Sequence, residues 1–473
     1  MEPTDAESWT ERAVELAQQR LSAFEVRLDI QEDRRWVLRN GQLRSAGRSH
    51  VGGIGIRAFE GAASAYAYTN ELTHHALRDL VDQAGRLAQA NARQGWDGFA
   101  PDLHDHKGRH TPDVREHPHD VPDEAAYGLL RRAEEAALEE VPGQVAQVGF
   151  GARRGLTVVA NSTGGHVVSE NLLSTLLVQT LARDGARHGS GNEWRGGELG
   201  FGDYEDEGGP EALGRAAGRA AKVDLEAKPI TAGRYRTLCD NKLTGIMVHE
   251  SFGHLTEYDV VAPGWSVLQD RLGERLAPRD VTIRDVPRMP GPVKHGVVVP
   301  FDQEGTPGRD VTLVDQGALT AYLHGRDSAS DQDVAATGSA RALNVSHAPI
   351  VRMRNTFMEP GDHSQEEALE ALGTGVYLQG GRGGAPRSDG SFTFTSEGGY
   401  WVEDGELSHP IKMATINGNI LDFFGNIEAI TDDFRLRTTF FGGCGKWDQS
   451  LIHVGTGGPQ VLVSEALVGG QVA

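Results

Sequence analysis

The sequence predicts an α+β protein: N-terminal and central α/β modules, then a β-rich, barrel-like C-terminal domain carrying a metal-binding helix. Three observations predict it. Apolar residues recur at helical spacing over 9–22, 72–94 and 123–140, with strand-like runs between these blocks. The 61 glycines cluster after residue 150 beside Val- and Thr-rich runs, a pattern of short strands, tight turns and close backbone approaches. Finally, an apolar helix leads into the string HESFGH at 249–254.

A chain of 473 residues is too long for one ordinary core. The expected organisation is an N-terminal α/β module over 1–97, a linker over 98–122, a central α/β module over 123–228 and a β-rich catalytic domain over 229–473. In the first module, the helix at 9–22 precedes strands at 24–31, 35–38, 54–58 and 63–69, with Asn40-Gly41 as a hairpin turn between two of them. The linker is rich in proline and charge. Its histidines, His104, His106, His110, His117 and His119, read as part of a solvated connector, since no fixed ligand geometry surrounds them. The central module has strands at 144–150, 156–161, 166–170 and 173–182, a glycine-rich stretch, and a helix at 210–222. After Lys228-Pro229 come a strand at 234–238 and the motif helix at 242–253, for which Asp240 is the expected cap. The remainder reads as strands and turns, with one more helix near 364–372.

Lys+Arg 46 against Asp+Glu 67 gives a net charge of −21, which argues for solubility and against a nucleic-acid or anionic-membrane surface. No apolar run approaches the ~20 residues of a membrane span. The N-terminus is acidic, so no signal peptide is expected, and two cysteines are too few for a disulfide framework. A cytoplasmic protein is the expectation.

HESFGH contains the kit for zinc hydrolysis: imidazoles to hold the metal and, at Glu250, an adjacent carboxylate to take a proton from activated water. The spacing is one residue longer than in HExxH peptidases. On a regular helix, residues five apart lie roughly 140° round the axis, against about 40° for four apart. Both rings reach one ion only if the helix carries a π-bulge or ends near Gly253. A catalytic site also needs a third protein ligand. Glu257, Asp259, the later histidines and Cys444 are the candidates, and Cys444 sits in the glycine-flanked stretch FFGGCGKWDQS. Cys239, at a strand end, reads as a small core residue.

The chain resembles the TldD/TldE (PmbA) family of metallopeptidases, and specifically its TldD-like subunit. The resemblance rests on HESFGHLTE at 249–257, RMRNTFMEPG at 352–361, LQGGRGG at 378–384, FTFTSEGGYWVEDGEL at 392–407 and GGCGKWDQS at 442–450. It extends from RNGQLRSAGRSHVGGIGIRAFEG near the start to GPQVLVSEALVGG at the end. It implies zinc held by His249, His254 and Cys444, with Glu250 as general base. TldE-like subunits lack the metal motif, so its presence implies the TldD side and a TldE-like partner; a homo-oligomer is the alternative. Glu257 and Asp259 complete the extended pattern HExxGHxxExD, either orienting the histidines or lying solvated. For the oxyanion donor, Tyr322, His324, Arg326 and His409 are candidates, none singled out. The run Gly380, Gly381, Gly383, Gly384 reads either as a flexible loop or as an edge along which an extended peptide substrate adds as a strand. The substrate implied is thus a peptide or unfolded protein. Two other readings are an enzyme dedicated to a small peptide-derived metabolite and a non-catalytic modulating subunit; the intact metal motif counts against the last.

Overall fold

The computed structural model describes residues 3–95, 103–291 and 293–470. Its first half is organised by β1 (Ala23–Arg39). Phe24, Val26, Leu28, Ile30, Trp36 and Leu38, one face of the strand, are buried in the cores beneath α1 (Pro3–Gln18), α2 (His74–Arg93) and α3 (Asp123–Glu140). The residues between them, Glu25, Arg27, Asp29, Gln31, Asp33 and Arg35, are polar and belong to the opposite face. That face meets the metal domain: Arg27 donates to the carbonyls of Asn344 and His347, and Gln31 donates to that of Leu343.

β1 continues unbroken where the sequence suggested two strands. Asp33 accepts two bonds from Arg153, at 2.7 and 2.9 Å, and Arg34 donates to the carbonyls of His119 and Val121. With distant partners for its charged residues, the chain needs no turn there. The same holds for β5 (Val145–Asn161) and β6 (His166–Asp184), each expected as two pieces. β2 (Gln42–Glu60) is much longer than expected, and the glycine-rich stretch is itself a strand, β7 (Arg187–Gly197). The Asn40-Gly41 turn is present, with positive φ at both residues, as a two-residue hairpin of the primed type requires.

With β3 (Ala63–Thr69) and β4 (Lys107–His110), these strands form one seven-stranded sheet in the order β3-β2-β1-β5-β6-β4, β7 pairing with β6. The two N-terminal α/β segments therefore share a single layer, with α3 and α4 (Gly209–Glu226) packed together over its second half. The linker is not merely a solvated connector. β4 pairs in parallel with β6, and His119 Nε2 lies 3.1 Å from the Ala152 carbonyl. Linker residues 98–102 lie outside the described residues.

The C-terminal half is β-rich. A nine-stranded mixed sheet curls into a half-barrel with β8 (Gly233–Cys239) near its middle, and a six-stranded sheet includes Asn355–Met358 and Gly455–Gly458. The motif helix α5 (Asn241–Val248) packs against strands of both sheets, capped by Asp240, whose carboxylate accepts from Leu243 N at 2.8 Å. Buried ion pairs join the halves: Arg326 with Glu25, and Arg57 with Glu304 at 3.2 Å.

Candidate metal centre

α5 does not continue regularly to Gly253. Residues His249–Gly253 form one π-helical turn, and His254–Thr256 follow as a 3₁₀ turn. The π turn inserts the extra residue that a spacing of five demands, so both histidines come to one side. Gly253 is required at its end by close approach: a Cβ there would fall 1.8 Å from Met353 Sδ.

The third donor arrives from far along the chain. Cys444 opens a short hairpin, Cys444–Lys446 paired with Gln449–Ile452. The preceding residues are seated on the N-terminal sheet, where Gly149 and Gly151 of β5 leave room for the rings of Phe441 and Phe440. Cys444 Sγ thus lies 3.2 Å from His249 Nε2 and 2.9 Å from His254 Nε2. Potential ligand atoms of these three residues all lie within 4.8 Å of one another, the one such donor cluster among the described residues. Two imidazoles and a thiolate, converging and largely buried, suit a tetrahedral zinc ion with its fourth position open.

The electrostatics fit that donor set. Burial alone would push the Cys444 thiol up, but the neighbouring imidazoles of His249 and His254 bring it down to about 5, so it is held as thiolate at neutral pH. Burial opposes charge on His254, yet Glu257 and Cys444 raise its pKa well above the usual histidine value. Glu257 Oε2 lies 3.0 Å from His254 Nδ1, which directs the ring's other nitrogen towards the cluster. Burial would raise the Glu257 carboxyl, but Lys446 and His254 hold it at about 2. Lys446 also binds Asp259 at 2.7 Å, so Asp259 acts through that lysine. His249 Nδ1 has no hydrogen-bond partner among the described residues. Glu250 Oε2 stands 4.0 Å from His254 Nε2, its carboxyl raised chiefly by burial.

Sequence reasoning did not single out Lys446 or the buried Arg352, whose Nε is 3.7 Å from Glu257. Lys446 stands two residues after Cys444, a proximity that offered the only signal. The four oxyanion candidates are occupied elsewhere. Tyr322 donates to the Leu268 carbonyl, His324 contacts Ser328, Arg326 pairs with Glu25, and His409 contacts Ser408. Within the glycine run, Gly380 N donates to Asp240, and Cβ atoms at Gly380 and Gly381 would meet Glu397 and Ile246. Their small size serves the protein's own packing. Gly384 is equally close-packed, a Cβ there falling 2.3 Å from the Phe394 ring, but it also begins Gly384–Pro386, the terminal strand of the nine-stranded sheet, which lies against the π turn. Cys239 is buried in the core, as expected.

Three family models match: PmbA/TldA metallopeptidase domain 1 over residues 24–88, the central domain over 116–225 and the C-terminal domain over 232–470. The chain belongs to the PmbA/TldD metallopeptidase family. A metalloprotease of Methanothermobacter thermautotrophicus is 32% identical over 92% of each chain. A zinc metalloprotease TldD homolog of Saccharolobus solfataricus is 34% identical over 52% of this chain and 54% of its own length. The crystal structure of TldE from Thermococcus kodakarensis shares the fold, with a TM-score of 0.78 over 98% of this chain and 100% of that one at 15% identity.

Proposed function

We propose that this chain is a TldD-like, zinc-dependent peptidase subunit that hydrolyses peptide bonds in unfolded proteins or peptides. One observation carries the reading: the convergence of His249, His254 and Cys444, with the Glu250 carboxylate beside them. The name of the Saccharolobus relative agrees with the ion that this donor set favours.

When bound, zinc supplies Lewis acidity towards water and the substrate carbonyl. Glu250 takes the proton of the attacking water and returns it to the leaving amine; its raised carboxyl pKa suits a group that must both accept and give. Glu257 and Lys446 keep the His254 ring in place throughout. An extended substrate laid along the free edge of Gly384–Pro386 would pass the π turn with its backbone groups paired, so foldedness would matter more than side-chain identity. A TldE-like partner, or a second copy, belongs to this reading as the companion subunit; the fold shared with TldE supports it.

The test is digestion of a disordered protein and a stable globular control by zinc-loaded protein, with and without a TldE-like partner, read by mass spectrometry. The expected result is many cuts in the disordered chain and survival of the control. Absence of zinc-dependent cleavage in both arrangements would overturn the peptidase reading. One sharply defined cut would favour an enzyme dedicated to a small peptide-derived substrate.

A further inference from the structure

Three cavities that share lining residues adjoin one another along the face of the N-terminal sheet that looks towards the metal domain. The middle one, about 510 Å³, lies between Arg35 and Val37 of β1, Gly149 of β5 and the rings of Phe440 and Phe441. Past Gln147 and Gln179 it adjoins a further space of about 410 Å³ bordered by Arg39 and Arg382. At the other end, Arg153 and Leu451 are shared with a smaller space, about 140 Å³, that reaches Arg341. Residues 440–442 line the wall of the middle cavity and lead in sequence to Cys444, so the cavity and the metal centre share one segment of chain.

The charges along this cleft are unbalanced. Arg35, Arg39, Arg341 and Arg382 form no ion pair among the described residues. Arg35 lies over the Phe441 ring at 5.3 Å, Arg382 donates to Ser190 Oγ at 3.0 Å, and Arg341 donates to the carbonyls of Met353 and His453. The carboxylates along the same walls are already paired, Asp33 with Arg153 and Glu397 with Lys242 at 2.6 Å. In a chain of net charge −21, four guanidinium groups without carboxylates therefore gather in one groove. Low-dielectric walls focus such a field, and guanidinium binds carboxylate in a planar, two-point geometry. The surrounding negative charge is screened beyond about 8 Å at physiological salt, whereas direct contacts to these guanidinium groups are screened less.

We propose that this cleft selects substrate segments rich in Asp and Glu, so that the preferred substrates are acidic, extended polypeptides. The inference rests on the peptidase reading for its catalytic consequence, while the charge recognition itself is a binding property. It assigns Arg35, Arg39 and Arg382 as specificity-determining positions, with Arg341 deeper in the groove.

Two internally quenched peptides with one neutral core, flanked by glutamates or by lysines, test it. Hydrolysis by the zinc-loaded protein and binding of labelled, uncleaved versions by fluorescence anisotropy are both measured. The acidic peptide is expected to be favoured about tenfold in kcat/KM and in affinity, the scale of one net charge-assisted contact. R35E/R39E and R382E should invert or abolish that ratio; if either variant misfolds by circular dichroism, R35Q/R39Q and R382Q replace it. Selective binding of the acidic peptide, with no hydrolysis either with or without a TldE-like partner, would leave this inference standing and sink the peptidase reading. Hydrolysis or binding without charge preference, preference for lysine, a ratio unmoved by the variants, or no binding of either peptide would overturn the inference.

Discussion

Glu257 Oε2 lies 3.0 Å from His254 Nδ1 and, at the same oxygen, 3.0 Å from Lys446 Nζ. One fully buried carboxylate therefore couples the histidine end of the centre to the strand that delivers Cys444. Replacing it by glutamine should weaken zinc binding by about 10–100-fold, the usual effect of losing a group that orients a histidine ligand. It should also destabilise the fold by about 1–3 kcal/mol, because buried Lys446 would keep only the Asp259 carboxylate and buried Arg352 would lose the Glu257 charge beside it. Competition with a chelator and thermal unfolding measure the two effects; unchanged affinity would remove Glu257 from the ligand support.

Glu250→Gln should keep zinc and lose peptide hydrolysis by a factor of roughly 10² or more. Elemental analysis beside a peptide assay checks this. Hydrolysis at the parent rate would take Glu250 out of the chemistry, and loss of zinc would make its role structural.

The Cys444 thiolate supplies a pH prediction. Its pKa is lowered to about 5, so in metal-stripped protein the thiolate should persist at neutral pH and disappear only as pH falls through about 5. Protons should then compete with zinc, and zinc release should steepen below that pH. Burial pushes the Cys239 thiol up, so thiolate absorbance should show one transition in the acidic range. A midpoint near the ordinary thiol value would contradict the imidazole–thiolate contact.

Gly253→Ala should cost about 1–3 kcal/mol, the scale of overpacking, because the added methyl meets Met353 Sδ. The double variant G253A/M353A should recover part of that loss relative to the sum of the single changes, a coupling that denaturant unfolding reads. Strict additivity would mean that the two positions do not press on each other.

The local part of the site was legible because its chemistry is written in short strings. HESFGH offered two candidate ligands and a candidate base, and its spacing narrowed the backbone to a π-bulge or an early helix end; the π turn is the outcome. Cys444, 190 positions beyond His254, stood among several candidates for a third donor and was singled out only through the family resemblance, because no periodicity links such distant residues. Long-range pairing was invisible for the same reason. Arg34 and Asp33 looked like a break in a strand until the carbonyls after Pro118 and the guanidinium of Arg153 supplied their partners. The clustered glycines had pointed to strands, turns or close backbone approaches without saying which; Gly191 of β7 is the last kind, since α4 passes so close that a Cβ there would lie 1.9 Å from the Ala217 carbonyl. Beyond its nearness to Cys444, Lys446 carried no local mark of its role, which depends on two carboxylates nearly 190 residues upstream.

The central claim is a zinc ion held by two imidazoles and one thiolate, and X-ray absorption at the zinc edge of the loaded protein tests it most directly. The account predicts about one zinc per chain, with one sulfur near ~2.3 Å, two nitrogens near ~2.0–2.1 Å and a light-atom fourth ligand. The sulfur should vanish from the spectrum, or the zinc from the protein, in Cys444→Ser. A shell of nitrogen and oxygen alone in the parent protein would contradict it.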